Sequence, residues 1–337
     1  LEQTLKCRKA LLTHSCTAAL EMSAILAGIG PGDEIIMPSF TFVSTANAFV
    51  LRGGVPVFVD IHPDTLNINE NLIEEAITER TRAIVAVHYA GRACSMEQLQ
   101  AICQRHGLLL IEDAAQAILS HDDGLALGTI GDLGCLSFHE TKNVICGEGG
   151  ALLINNPRLI ERAEVIWQKG TNRKAFLRGE VDKYTWVDLG SSFLPNELSA
   201  AFLYAQLENA GRINAHRRVL YQSYLKQLSP LADLGLFLLP LAQEKSLTNA
   251  HIFYLVTRNE REQASLIRHL DSNGISAVFH YVPLHNSPAG MQLARTSGPL
   301  PVTENISARL VRLPMYSELN TMQVAHICKI IANYFKQ

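Results

Sequence analysis

The sequence is short of most features that assign a protein by inspection. No two of its seven cysteines, at positions 7, 16, 94, 103, 135, 146 and 328, form a C-x-x-C pair. That spacing argues against a zinc ribbon or a disulfide framework and leaves a reducing, cytoplasmic compartment as the expected setting. No apolar run reaches the length of a membrane span, and no signal peptide is visible. Neither G-x-x-x-x-G-K-[ST] nor a G-x-G-x-x-G after a strand occurs, so ATP and dinucleotide binding lack their phosphate loops. Net charge is −3, and no overall field draws nucleic acid or an anionic membrane. Internal repeats and low-complexity tracts are missing as well. Twelve histidines invite a metal, but His280 and His285 have no Asp, Glu or Cys pattern to complete a zinc set.

What is present is core. With 337 residues, 47% of them hydrophobic, the chain can fill one large and one small domain. The first half alternates apolar runs with helical patterns, as in a sheet wrapped by crossover helices. Strands are expected at Ala10–Leu12, Glu34–Met37, Val55–Asp60, Ala83–His88, Leu108–Ile111, Gly134–Phe138 and Ala151–Ile154. Helices are expected at Ala18–Leu26, Thr45–Arg52, Asn71–Thr78, Met96–His106 and Arg158–Trp167. Several of the strands are apolar without alternation, which fits a sheet covered on both faces. After an aperiodic stretch from Lys169 to Pro195, a long helix is expected from Asn196 to about Leu228. The remainder reads as a smaller α+β unit, with strands at His251–Thr257 and Ser276–Tyr281 and helices at Arg261–Asn273, Thr303–Leu313 and Met322–Phe335. The expected division is a large α/β domain over 1–215 and a small α+β domain over 216–337.

Four segments that follow strands carry chemistry. Lys142 lies five residues after Ser137 and just before Gly147-Glu148-Gly149-Gly150. Burial lowers a lysine pKa, and the neutral amine can attack an aldehyde to form a Schiff base. Most lysines after a strand are solvated loop residues, so the motif takes its weight from its companions. Glu112-Asp113 ends a buried strand, where acids need a cationic partner such as a protonated pyridine nitrogen, a salt bridge or a helix to cap. Thr13 to Ala18 places hydroxyl residues between a strand and a helix, either a plain N-cap or an anion site. Pro38-Ser39-Phe40-Thr41-Phe42 offers aromatic rings directly after a strand, for the core or for stacking on a flat cofactor. A phosphate cradle, a stacking ring, a pyridinium partner and a Schiff-base lysine are together the parts that pyridoxal 5'-phosphate needs.

These segments, in this order, resemble the DegT/StrS-type nucleotide-sugar aminotransferases, and the resemblance runs nearly end to end. It implies the fold-type-I, aspartate-aminotransferase-like α/β fold, a homodimer with shared active sites, and pyridoxal 5'-phosphate as cofactor. By this match Lys142 carries the cofactor and Asp113 meets its ring nitrogen. Gln116 touches the ring face or phenolic oxygen, and Phe42 stacks on the ring. Ser137, Thr17 and the backbone of Cys16 hold the phosphate. The run from Lys169 to Ser192, with Val181-Asp182-Lys183-Tyr184-Thr185-Trp186 inside it, is similar to members that aminate C4 of a TDP-4-keto-6-deoxy hexose with L-glutamate. Those members serve enterobacterial common antigen and lipopolysaccharide synthesis.

The aperiodic stretch is basic and aromatic. Arg178, Lys183 and Tyr184 are expected near a nucleotide diphosphate, and His285, in a Tyr…Pro-Leu-His run, near the substrate. Three departures from the family pattern stand out, one of them Pro195-Asn196 ahead of the long helix. Ser192-Phe193-Leu194 replaces an Asn-aromatic-Arg run that reaches the partner's cofactor phosphate in many members. The family also carries several dozen residues ahead of the point that corresponds to Leu1, so a preceding segment that shapes the sugar site is expected. Other readings remain open at this stage: amination of another keto sugar or at C3, and a cofactor-binding regulatory protein without catalysis.

Overall fold

Eight strands form the main sheet, in the spatial order 9–13, 150–154, 133–137, 109–113, 81–87, 34–38, 55–59 and 295–296. The computed structural model describes residues 1–242 and 245–336. Five central strands, Leu133–Ser137, Leu109–Asp113, Thr81–Val87, Glu34–Pro38 and Val55–Val59, run parallel. Strand Gly150–Ile154 is antiparallel to both Lys9–Thr13 and Leu133–Ser137. Thr13 therefore ends on the same edge as Ser137, Asp113, Val87 and Pro38. Ligands bind beyond that carboxyl edge in open sheets of this kind.

Both faces of the sheet are covered, which accounts for strands that are apolar at every position. On one face Ile35, Met37, Val85 and Ile111 pack with Leu20, Phe49 and Ile166. On the other, Ile36, Ile84 and Ala86 pack with Leu99 and Ile102. A separate antiparallel sheet joins Phe237–Leu238, Phe253–Thr257 and Leu310–Leu313. Helices Glu260–Ser272 and Thr321–Tyr334 cover it through Leu266, Leu270, Val324, Ile327 and Ile331. The long helix Glu197–Ala232 serves both cores: Leu203 and Ala210 pack on the large sheet's side, while Leu220, Tyr224 and Leu228 pack on the small sheet.

Three expectations about secondary structure are corrected. Residues 276–281 form no strand, only a single bridge from Val278 to Arg312, because the chain turns at once through Tyr281-Val282-Pro283 toward Ser39. The helix expected at Thr303–Leu313 ends at Ser307, and Leu310–Leu313 is a strand paired with residues 253–256. The helix over 71–78 is a 3-10 turn at Glu70–Leu72 followed by a single α-turn at Ile73–Ala76. The stretch after Lys169 has more order than its lack of periodicity indicates. Helix Arg173–Leu177 and the bridges Gln168–Ser192 and Thr171–Trp186 fold it back on itself. Among the described residues no helix is long and apolar enough to cross a membrane.

Candidate active site

Lys142 stands on a short loop after strand Leu133–Ser137. The loop is closed by backbone hydrogen bonds from Phe138 to Gly149, Cys146 to Phe138 and Glu140 to Gly147, of 2.8, 2.8 and 2.9 Å. Gly147 has a φ of 79°, a left-handed conformation that favours glycine. Among the described residues the Lys142 amine has no hydrogen-bond or ion-pair partner. Burial lowers its pKa; the charges of Cys16 and Asp113 oppose that shift, and Arg312 adds to it. The neutral, nucleophilic amine is thereby favoured.

Beneath the loop lies a buried polar network. Asn143 Nδ2 donates to Asn214 Oδ1 at 2.8 Å and to the Asn249 carbonyl at 2.9 Å, and its Oδ1 faces His251 Nδ1 at 2.9 Å. Burial holds His251 well below the usual imidazole range, and the neighbouring Lys142 and Arg217 add to it. These residues fix the lysine loop, yet they come from positions 143, 214, 249 and 251. Only their burial together marks them, so no local pattern in the sequence could have found them.

Asp113 and Glu112 end the adjacent strand and point to opposite faces of it. Glu112 is fully buried and saturated: Gly128, Ile130 and Gly131 donate backbone N–H groups to it at 2.7, 2.7 and 2.6 Å, and His88 Nε2 lies at 2.8 Å. It is a structural acid. Asp113 faces the lysine side, where its Oδ2 accepts from Thr45 Oγ1 at 2.7 Å and its Oδ1 from the Ala115 N–H at 3.1 Å. Gln116 is held at both ends, accepting from the Ala90 N–H at 2.7 Å and donating to the Tyr281 hydroxyl at 2.8 Å.

The pair behind Asp113 has a measurable consequence. Burial works against a charge on His88, but Cys94 and Glu112 outweigh it and raise the His88 pKa to about 10. A pKa raised on folding stabilises the protein fully below the unfolded value, about 6.5 for histidine. That contribution is lost as pH rises from there through about 10. Unfolding free energy measured by denaturant titration should fall across this interval, and His88→Gln should flatten the fall. A wild-type profile flat from pH 6.5 to 10 would show that the pair carries no such linkage.

The anion-binding corner is the start of helix Cys16–Leu26. Ser15 caps it, accepting from the Ala18 N–H at 3.1 Å. Among the described residues no acceptor takes the N–H groups of Cys16 and Thr17, which leaves two donors at the positive end of a helix. Gly150 presses on this turn so closely that a Cβ there would overlap the backbone of Ser15 and Cys16. Thr17 Oγ1 lies 2.8 Å from Ser44 Oγ. The Cys16 thiol is raised well above its ordinary pKa by burial, with Asp113 and Cys135 adding, so it is no nucleophile. Ser137 is buried at the neighbouring strand end, 3.4 Å from the His139 N–H. Phe42 leaves its ring 57% exposed at the edge of the site, 6.4 Å from Tyr281.

A model of the DegT/DnrJ/EryC1/StrS aminotransferase family covers residues 1–332. This chain belongs to that family. Two solved relatives are similar over almost its whole length. One is S. venezuelae DesV in complex with a ketimine intermediate: 32% identical, TM-score 0.89, covering 100% of this chain and 87% of that one. The other is a DegT DnrJ EryC1 StrS aminotransferase from Brucella abortus: 30% identical, TM-score 0.90, covering 99% and 87%. A "Pleiotropic regulatory protein" of Geobacillus stearothermophilus is 34% identical over 320 residues, 94% of this chain and 82% of its own length. The fold is accordingly the fold-type-I, aspartate-aminotransferase-like fold of this family.

Lys142, Asp113, Gln116, Ser137, Cys16, Thr17 and Phe42, the residues expected to hold the cofactor, follow strand ends that lie on one sheet edge. Arg178, Lys183 and Tyr184 are not joined to these: among the described residues no hydrogen bond, ion pair or ring contact links them to Lys142, Asp113 or Gln116. Arg178 is held by Glu164 at 2.7 Å and Glu180 at 2.6 Å; Tyr184 packs on Phe176 at 5.7 Å; Lys183 is exposed. Phe193 is a core residue, with its carbonyl accepting from the His14 N–H at 3.0 Å. His285 sits apart from His280, with Nδ1 2.7 Å from Ser39 Oγ and Nε2 3.2 Å from Glu304. It anchors the 281–287 turn on a strand end of the large sheet. Tyr281, which that turn delivers to Gln116, is the site residue the sequence reading missed. It is the tyrosine of the Tyr…Pro-Leu-His run, which was its only signal.

Proposed function

We propose that this protein transfers the amino group of L-glutamate to C4 of a TDP-4-keto-6-deoxy hexose, with pyridoxal 5'-phosphate as cofactor. The products are TDP-4-amino-4,6-dideoxygalactose and 2-oxoglutarate. The observation that carries the reading is the Lys142 amine, which has no polar partner among the described residues and has its pKa lowered by burial. It lies near enough to Asp113 and Cys16 to feel their charges, at the edge where the Cys16 and Thr17 N–H groups are unused. The residues present fit the cofactor. Two unused donors and a close-fitting glycine form a cradle for phosphate, Asp113 offers a carboxylate to a ring nitrogen, and Phe42 offers a ring face. When bound, the cofactor supplies an electron sink for the carbon that loses its proton. Lys142 takes the proton from Cα of glutamate and later delivers one at C4 of the sugar, as base and then acid. Asp113 holds a proton at the ring nitrogen. The 281–287 turn closes one side of the site against water.

The keto-sugar assignment is supported by the basic, aromatic segment from Lys169 to Trp186. Trp186, Leu198 and Tyr204 are 77%, 84% and 68% exposed, an apolar surface that suits a second copy of the chain. We place the nucleotide diphosphate by Arg178 and Lys183 in such a dimer. Replacing both by glutamine should raise KM for the nucleotide sugar about 10-fold or more, the scale of one or two charged hydrogen bonds. The glutamate half-reaction should stay as it was, and added salt should shrink the difference. Equal damage to both half-reactions would point to lost cofactor rather than lost diphosphate contacts.

The similarity to a pleiotropic regulatory protein favours a second reading, a cofactor-binding regulator without turnover. Incubation with glutamate and a panel of nucleotide keto sugars, followed by mass spectrometry, separates the two. A product heavier by the C=O to CH–NH2 exchange supports amination, and its fragmentation distinguishes C4 from C3. Unchanged sugars throughout, with the cofactor bound, would leave the regulatory reading.

A further inference from the structure

Among the described residues Arg312 is a cation without an anion. It lies on strand Leu310–Leu313 directly opposite Tyr254, so both side chains leave the same face of the small sheet. That face is turned to the site: Tyr254 packs on Tyr89 at 6.0 Å, and Tyr89 packs on His280 and Tyr281 at 5.3 and 6.1 Å. On its other side Arg312 exchanges two backbone hydrogen bonds with Val278, of 2.8 and 3.2 Å. Val311 and Leu313, its chain neighbours, point the opposite way into the apolar core.

The side chain is half-buried, its Nε is shut off from solvent, and among the described residues that Nε has no hydrogen-bond partner. Among the described residues no carboxylate pairs with Arg312. Among the described residues Arg52 Nε and Arg92 Nε and Nη2 are likewise buried without a partner, but other arginine groups inside the fold are held by carbonyl or carboxylate acceptors. Arg217 gives Nε to the Ala250 carbonyl at 3.1 Å and Nη2 to the His251 carbonyl. Arg92 donates to the Leu241 carbonyl at 2.6 Å, and Arg295 grips Glu34 at 2.7 Å. A partly desolvated guanidinium with unused donors is costly unless something arrives to accept from it. Its positive charge reaches the Lys142 amine, His280 and Tyr281, so the anion it awaits would lie in the same chamber as the lysine.

We propose that Arg312 binds a carboxylate of the amino donor. This rests on the amino-transfer reading above. A flat carboxylate matches the parallel N–H groups of a guanidinium. The nucleotide diphosphate is bulkier and more strongly hydrated, and it suits the exposed 169–186 segment. Arg312 would thus fix an amino acid, rather than a simple amine, beside Lys142.

The test uses the cofactor-loaded protein and succinate, a dicarboxylate that has no amine to transfer. Calorimetric titration should show succinate binding to the wild type, weakened about 10- to 100-fold in Arg312→Gln, the scale expected for charged hydrogen bonds. Arg312→Lys, which keeps the charge without the fork, should fall between them. KM for glutamate should rise by the same factors, while a single turnover started from the nucleotide amino sugar stays unchanged. Succinate binding that is absent from the wild type, or equal in wild type and Arg312→Gln, overturns the proposal. So does damage confined to the sugar half-reaction. A wild type that binds succinate through Arg312 but never deaminates glutamate would refute amino transfer and keep the carboxylate site, so the two failures are distinguishable.

Discussion

Lys142→Ala should abolish amino transfer in both directions while leaving a folded protein. The Lys142 side chain makes no hydrogen bond or ion pair among the described residues, so its removal breaks no polar contact. Its loop stays tied by the bonds of Phe138, Glu140 and Cys146 and by the Asn143 network beneath. What disappears is the group that moves the proton, which corresponds to a loss of about 10⁴-fold, the upper end for a positioned acid–base. The assignment of the covalent link can be tested independently. Borohydride reduction of protein loaded with pyridoxal 5'-phosphate, followed by peptide mapping, should find the pyridoxyl group on Lys142. Finding it on Lys169 or Lys183 would sink the assignment.

Asp113→Asn is expected to keep the fold and the bound cofactor but slow both half-reactions by about 10²–10⁴-fold. The local contacts show why folding survives. The asparagine Oδ1 can still accept from the Ala115 N–H, and its Nδ2 can donate to Thr45 Oγ1. Thr45 then turns its own hydrogen to Thr41 Oγ1, 2.8 Å away. Only the negative charge is lost, and with it the means of holding a proton at the ring nitrogen. Glu112→Gln should behave in the opposite way. It disturbs a carboxylate that accepts from three backbone N–H groups and lies against His88, so melting temperature should drop. Stopped-flow rates of both half-reactions in the surviving protein should remain near wild type. Normal rates in Asp113→Asn with slow ones in Glu112→Gln would reverse the two roles.

Much of the candidate site could be proposed from the sequence because its pieces are local. Lys142, Asp113, Gln116, Ser137, Cys16, Thr17 and Phe42 each lie within a few residues of the end of an apolar strand. Parallel pairing carries the ends at Pro38, Asp113 and Ser137 to one edge, and two antiparallel pairings through Gly150–Ile154 bring the end at Thr13 to it as well. The strands themselves were readable as unbroken apolar runs, since a sheet covered on both sides buries every position. Pairs of residues at 237–238 and 295–296 are too short to show any period, and they were missed. Leu310–Leu313 was read as the end of a helix because four residues, three of them apolar, satisfy either pattern.

The sequence by itself determined the doubly covered sheet, the order of chemical groups along its edge, and the lysine on which the reading turns. Tertiary structure decided which of two adjacent acids faces that lysine, because the pleat sends neighbours to opposite sides and His88 with three backbone N–H groups claims Glu112. It also decided what encloses the site. Gln116 meets Tyr281 across 165 positions and Ser39 meets His285 across 246, contacts no local pattern encodes. Arg312 belongs with these. A lone arginine in an apolar strand gives no sign of its partner, and only the packing of the small sheet on the large one leaves its Nε buried and unmatched beside the lysine.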